Sequence, residues 1–478
     1  MTNTVGDRSP VMQKQVDSWT LVRDFSEGGQ KAKDHIGRLP GHDDSTYGTF
    51  KERAYFLGAT ERTVEGLCGL IFRKPPAFNY PKAFDEYKRD ITRDGRSVTQ
   101  LAEEIAEEVI TSGFCGVLVD HPPQGEGVTK ADAETRGLRP YARLYRAESI
   151  LAMQEATRGA DRVLEQVRLH EEFYAPDPED EFSTIANERV RVLSLDEGGY
   201  YFVRVYERVK TQGGAKAASW EMTQEPFYPT QRGKKLTSIP FRAFSRRGHV
   251  STPPKPPLFD MAEANRHHLN DSALLQWGLM WTANPTPCFV NLQLEEGDQV
   301  ALGASKGLIF GADGAAFFLE FGGAGLGAIR QGMEDKRRDM ATLGARMLME
   351  DRKMVESEGT ARIHRSGEHS ILSSVANNIS EGLNVVMLWV SEWAGISGEV
   401  ELSLNTDFVA EPMDAQSLTA IMAAWQGGGI TREDLFLALQ RGEVIHQNKT
   451  LEEHTEELEN ETPALPVVGE PPVPDGEE

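Results

Sequence analysis

The sequence is short of cysteine, of basic residues and of long apolar runs, and each shortage removes a class of protein. Cys68, Cys115 and Cys288 are the only cysteines in 478 residues, far apart and without a CxxC pair. An odd, scattered set frames no disulfide scaffold and fits a reducing compartment. The nearest approach to a metal pair, Cys115 with His121, has no second pair beside it, so no structural zinc is expected. No apolar stretch reaches the roughly 18 residues of a membrane span. The best candidate, residues 277–290, is broken by Asn284, Pro285 and Pro287. The first ten residues are polar and lack the apolar centre of a signal peptide. A soluble protein made in a cytoplasm, with no membrane partner, is the expectation. Lys and Arg number 51 against 74 Asp and Glu, a formal charge of −23. That balance excludes a tight nucleic-acid grip, which needs a dominant basic face to neutralise phosphates.

What is present is ordinary core material, 39% hydrophobic, in a chain long enough for two to four domains. Two helical segments are expected first, with Met12, Val16, Trp19 and Val22 on one stripe and Phe56, Val64, Leu67 and Ile71 on the other. Pro75 and Pro76 stop the chain. Residues 97–110 carry Leu101, Ile105 and Val109 at helical spacing with Gly113 as stop, and residues 115–119 form a buried strand. Residues 141–244 switch to β character, with a hairpin around Glu197, Gly198 and Gly199. Residues 210–218 form a Gly/Lys/Ala-rich loop.

The proline-rich stretch 253–257 then opens a helix over 258–283, about 39 Å long at 1.5 Å per residue. Strands over 288–292 and 315–321 surround a glycine-rich middle. A second long helix, 326–349, carries Leu326, Ile329, Met333, Met340, Leu343 and Met347, its stripe interrupted by a charged turn at Lys336. Residues 352–368 form a charged loop, and a third long helix over 370–393 has a nearly unbroken apolar seam from Leu372 to Trp393. A strand over 399–404 and a helical pair, 414–425 and 431–440, follow. Ten acidic residues and no Lys or Arg lie in 451–478, with prolines from Pro463 onward, so no packed element is expected there beyond a helical turn or two.

Chemistry-bearing motifs are few. Gly323, Gly325 and Ala328 fit G-x-G-x-x-A between a strand and a helix, the outline of a dinucleotide fingerprint. The fingerprint needs a βαβ unit with an acidic residue after the second strand, and no apolar strand follows before Glu368; a tight strand-to-helix corner is the alternative. His267 and His268 diverge by about 100° on a helix and do not share a metal. His364 and His369 lack a third ligand. No P-loop occurs, and no cofactor or catalytic set is expected. Charge placement is the exception. Lys336, Arg337 and Arg338 cluster mid-helix between Arg330 and Arg346, and Arg352, Lys353, Glu356, Glu358, Arg362 and Arg365 follow in the loop. Either this is a solvated face in which Glu334 and Asp335 pair with Arg338, or it faces a polyanion.

The order of elements resembles the portal (head-tail connector) proteins of tailed bacteriophages. Local stretches resemble one portal-like family known mainly by sequence: Arg53, Ala54, Tyr55; Arg62, Thr63, Val64 and Leu67; GLIFRKPP from Gly69; Ile239, Pro240, Phe241; Pro256, Pro257, Leu258; Pro285, Thr286, Pro287; LGARML from Leu343; Gly359 to Ala361; and Asn405 to Phe408. The likeness runs over about residues 47–439.

It implies an α+β portal fold: a helical wing part (1–120), a β-rich wing part (121–253), stem helices (254–284 and 324–350) flanking a small clip (285–323), a tunnel loop (351–367), a long wing helix and strand (368–412), a helical crown (413–450) and an acidic tail without packed structure (451–478). It also implies a homo-oligomer, a twelve-fold ring at a capsid vertex of the virion, assembled in the host cytoplasm. Double-stranded DNA in transit, the major capsid protein, the large terminase, a head-tail adaptor and a scaffolding protein would be its partners, and the chain would not be an enzyme. Lys336, Arg337, Arg338 and Arg346, with the charged residues of the loop, would mark a channel face or a subunit boundary. The rivals are a nucleotide-binding enzyme using the Gly323 turn and another virion ring or adaptor protein. On this reading the acidity constrains how DNA is handled, since a conduit must let a polyanion slide and each fixed cation adds drag.

Overall fold

The structure, a computed structural model, describes residues 4–122, 138–177, 180–209, 219–284, 286–293, 309–319, 322–347, 371–408, 415–442, 444–445 and 449–460. The arrangement is α+β and is built around a three-stranded antiparallel sheet. Its central strand β2 (Phe114–Asp120) pairs with β3 (Tyr141–Arg146) on one side and β11 (Phe241–Ser245) on the other. All seven residues of β2 are buried, because the two sides of the strand enter different cores. Cys115, Val117 and Val119 face a helical core, and Phe114 and Leu118 face a β-rich core. The period of two in strand side chains makes this division automatic.

The helical core gathers α2 (Val16–Glu27), α5 (Ala59–Ile71), α7 (Val98–Thr111), the N-terminal two-thirds of α8 (Phe259–Ala283) and α10 (Ile371–Ala394). After the short α6 (Asp85–Arg89), α7 begins with a capping box in which Ser97 and Gln100 satisfy each other's backbone N–H groups. Where two N-terminal helical segments were expected, the chain forms five helices. α1 (Pro10–Gln13), α3 (Gly29–Lys33) and α4 (Asp44–Arg53) are too short or too polar to show a stripe of their own.

The β-rich core lies under a five-stranded antiparallel meander, β4 to β8, running from Ile150 to Met222. The expected hairpin is its β6 (Thr184–Leu195) and β7 (Tyr201–Val209) pair. The 16-residue β5 (Asp161–Pro176) reaches well past its neighbour β4 (Ile150–Arg158). Where this sheet meets the three-stranded one, Glu171, 1% exposed at its side chain, is held by Arg189, by Arg143 at 3.2 Å, by Arg191 at 3.6 Å and by the Tyr145 hydroxyl. Arg191 also pairs with Asp120. Burial pushes the Glu171 carboxyl up, but the three guanidiniums outweigh it and leave its pKa lowered.

A short strand, β1 (Ala77–Asn79), pairs with β14 (Glu401–Ser403) and ties the N-terminal helices to the segment after α10. Beside it Asn405 donates to the Leu70 carbonyl at 3.0 Å across 335 residues of sequence, and Lys74 pairs with Asp407 at 2.8 Å. Two of the stretches that carry the portal resemblance therefore meet in space. The helical pair α11 (Ala415–Gln426) and α12 (Arg432–Arg441) is present as expected. A last helix, α13 (Leu451–Asn460), is longer than the turn or two expected before Pro463, since its residues include no proline or glycine. Residues 210–218 and 461–478 lie outside the described residues.

Candidate functional site at the two long helices

α8 and α9 (Leu326–Arg346) form an antiparallel pair joined by a ribbon of two strands, β12 (Thr286–Leu292) and β13 (Phe310–Leu319). At 25 and 21 residues the helices run about 37 and 32 Å. Three contacts give the direction. Gly278 faces Leu326, Asp271 bonds Lys336 at 2.8 Å, and Met261 packs on Gly344. Gly278 allows the close approach, because a Cβ there would stand 2.5 Å from Leu326 Cδ2.

The buried face of α8 is unusually polar, which is why its sequence shows only a weak stripe. Asn265 donates to Thr60 Oγ1 at 3.2 Å, Ser272 accepts from the Tyr55 N–H at 2.9 Å, and Asn270 accepts from the Gly37 N–H at 2.9 Å. These bonds fasten the helix to the N-terminal region while its last residues, 281–284, project into solvent. Two groups on this face are left over among the described residues: the buried Oδ1 of Asn265 has no partner, and His268 is fully buried with neither ring nitrogen hydrogen-bonded. Burial pushes its pKa below the usual 6.5, and Arg337 and Lys336 add to the effect against the opposing pull of Asp271. His267 points to a different, exposed side.

On α9 only Met340 is buried. The side facing α8 is the stripe read from the sequence, and Lys336 lies on it rather than outside it. Its ammonium is half-buried against Asp271, a partner that sequence spacing could not reveal across 65 positions. The other candidate cations of this helix are exposed. Arg337 and Arg338 flank Glu334 at 3.8 and 3.7 Å, and Arg346 stands in the last turn. Asp335 accepts from Gln331 at 2.9 Å and takes no part in the expected pairing with Arg338. Arg352, Lys353, Glu356, Glu358, Arg362 and Arg365, like His364 and His369, lie outside the described residues.

The ribbon carries Phe317, Phe318 and Leu319 at 52%, 59% and 62% exposure, with Val290 and Ile309 also open to solvent. Successive side chains point to opposite faces, so both faces of the ribbon are apolar, and at these five residues they are open to solvent. Gly323 makes the corner into α9 at φ +60°, with the Leu326 N–H bonded back to its carbonyl at 2.9 Å. The strand before that corner pairs antiparallel with β12, so the described residues form a hairpin there and not the parallel βαβ unit of a dinucleotide fold. Among the described residues no group of three His, Cys, Asp or Glu could hold a metal, and no helix is long and apolar enough to cross a membrane.

The sequence profile of a domain of unknown function, DUF4055, matches residues 257–394, the stretch from α8 through α10. Among solved structures, the chain is similar to a chain of the virion of a native gene transfer agent (GTA) particle, at 11% identity over 88% of this chain and 98% of that one, with a TM-score of 0.37. It is similar to a chain in the neck of the native GTA particle computed with C12 symmetry, 13% identical over 84% and 95% of the two chains, TM-score 0.38. The neck of the empty GTA particle computed with C6 symmetry gives 12% identity, the same coverage and a TM-score of 0.38. No curated protein matches the sequence.

Proposed function

We propose that the chain is a portal subunit, a structural protein that closes with copies of itself into a ring at one vertex of a phage-type capsid and forms the channel for double-stranded DNA. The observation that carries the reading is the surface the single chain leaves uncovered: a 21-residue helix with one buried residue and a two-stranded ribbon apolar on both faces. A lone ribbon of this kind is marginal in water, and a patch of exposed Phe and Leu marks an interface. Head-to-tail packing around a closed ring covers two different flanks of each subunit with one repeated contact. The sequence resemblance supplies the rest, including terminase, adaptor, capsid and scaffolding protein as partners.

In this reading α8 and α9 are the stem and the ribbon is the clip. Lys336 locks the stem pair together, and Arg337, Arg338 and Arg346 are left on the wet side or at the boundary with the next subunit. Their number is small and Glu334 sits between two of them, which suits a polyanion that must slide. The chain performs no reaction of its own, and the motor's ATP hydrolysis belongs to a partner. Native mass measurement and negative-stain imaging of the purified protein test the proposal. A closed ring with a central hole is expected; a monomer or dimer at micromolar concentration would overturn it.

A further inference from the structure

Far from the stem, the last turns of α10 and a small hairpin of β9 (Thr230–Gln231) and β10 (Lys234–Lys235) enclose a groove of about 550 Å³. Trp389 and Trp393, four residues apart on one helix face, form one wall. Trp393 is fixed there, its Nε1 donating to the Thr230 carbonyl at 3.1 Å and its ring stacked by His121 with centroids 5.9 Å apart. The opposite wall is basic. Arg232, Lys234 and Lys235 are all exposed on the hairpin, Arg232 at its tip with φ +51°. Lys235 rests over the Tyr228 ring at 3.5 Å, and neither Arg232 nor Lys234 has an ion-pair partner among the described residues. In a chain of charge −23, three cations facing two indoles with only Glu392 opposing them form a local reversal of sign.

We infer that this groove receives the chain's own acidic, proline-bearing segment, residues 461–478. That segment holds five prolines, five carboxylate side chains and no Lys or Arg. Proline-rich chain is extended before it binds, so little ordering entropy is lost, and its rings lie flat on aromatic walls. The carboxylates Glu461, Glu470 and Asp475 are spaced along it and alternate with Leu465, Val467 and Val473, a pattern matching cations beside indoles. A duplex fits the groove less well. Its continuous phosphates would meet Glu392, and the two indoles would have no unstacked base to receive. At about 3.1 Å per residue, 18 residues of polyproline II chain would span on the order of 55 Å.

The test uses the full chain with a bimane fluorophore, quenched on contact with indole, at Val468→Cys. Cys288 is replaced by Ser; Cys115 is buried and burial pushes the Cys68 thiol up to about 12, so neither competes for the label. Quenched emission is expected, relieved by Trp389→Phe with Trp393→Phe. The variant Arg232→Ser/Lys234→Ser/Lys235→Ser touches only exposed side chains, retains the fold and should weaken docking roughly tenfold. Quenching that survives dilution assigns the groove to the segment of the same subunit, and quenching lost on dilution assigns it to that of a second copy; either upholds the inference. Emission indifferent to the indoles or to the three cations overturns it. So does a labelled DNA duplex that loses affinity in the triple variant while the bimane signal stays unchanged.

Discussion

Phe241 and Phe244, three residues apart on β11, each lie over a glycine in a different core. A Cβ at Gly116 would stand 2.2 Å from the Phe241 ring, and one at Gly382 would stand 2.4 Å from the Phe244 ring. Gly382→Ala is therefore expected to destabilise by about 1–3 kcal/mol although alanine is the better helix former by about 1 kcal/mol, and a thermal melt that rises instead would refute the packing. Glu171→Ala should cost about 3–5 kcal/mol in chemical denaturation, because it takes the shared carboxylate from Arg143 and Arg189 and leaves Arg191 with Asp120 alone. His268 supplies a pH dependence. Its folded pKa is lowered, so the folded state binds fewer protons than the unfolded one, and its contribution is present above pH 6.5 and lost as pH falls through that value toward the folded pKa. His268→Leu should flatten the fall in melting temperature below pH 6.5, leaving the smaller slope due to His249, which is shifted the same way by burial and Arg242. The buried strand was legible from its apolar run, but the identities of Gly116 and Gly382 as seats for aromatic rings were not, since a glycine's neighbour in space leaves no mark on the chain.

At the scale of elements, the pairing of α8 with α9 rests on a stripe in which one lysine replaces an apolar residue. Asp271→Ala should lower stability by about 1 kcal/mol by stranding the half-buried Lys336, and adding Lys336→Met should restore it by completing the stripe, measured as a double-mutant cycle. A cycle in which the two changes simply add would show that the pair does not couple the helices. The long helices are legible in the sequence, and the contacts between them are not. The ends of α8 follow from Pro256 and Pro285, and α9 and α10 follow from their apolar stripes, with observed bounds within a few residues of those expected; the expected residues 348, 349 and 370 lie outside the described residues. The interruption at Lys336 was visible, but its cause was not, because an ion pair between helices is set by their register and not by any local spacing. The weak stripe of α8 likewise follows from Asn265 and Ser272, polar residues buried because Thr60 and Tyr55 meet them from elements some 200 positions away.

At the scale of the whole molecule, the exposed ribbon is the part of the surface that most needs a partner. Phe317 and Phe318 point to opposite faces and are both more than half exposed, so neither contributes to the chain's own core. Phe317→Ser/Phe318→Ser should therefore leave the melting temperature of the isolated subunit nearly unchanged, while each aromatic removed from a packed contact between copies costs about 3 kcal/mol. In the proposed ring that loss falls on every interface at once, so assembly should fail by orders of magnitude in concentration and not by a modest shift. Charge reversal of Arg337, Arg338 and Arg346 acts differently, because exposed charges carry little stability. On the proposed portal reading, rings should still form if these residues face the channel, with DNA packaging impaired, and should fail if they lie at the boundary between subunits. Sedimentation of the two variants side by side separates the cases. Intact rings from the phenylalanine double variant would remove the ribbon from the interface, and intact rings with wild-type DNA filling from the charge-reversed variant would remove the arginines from both roles.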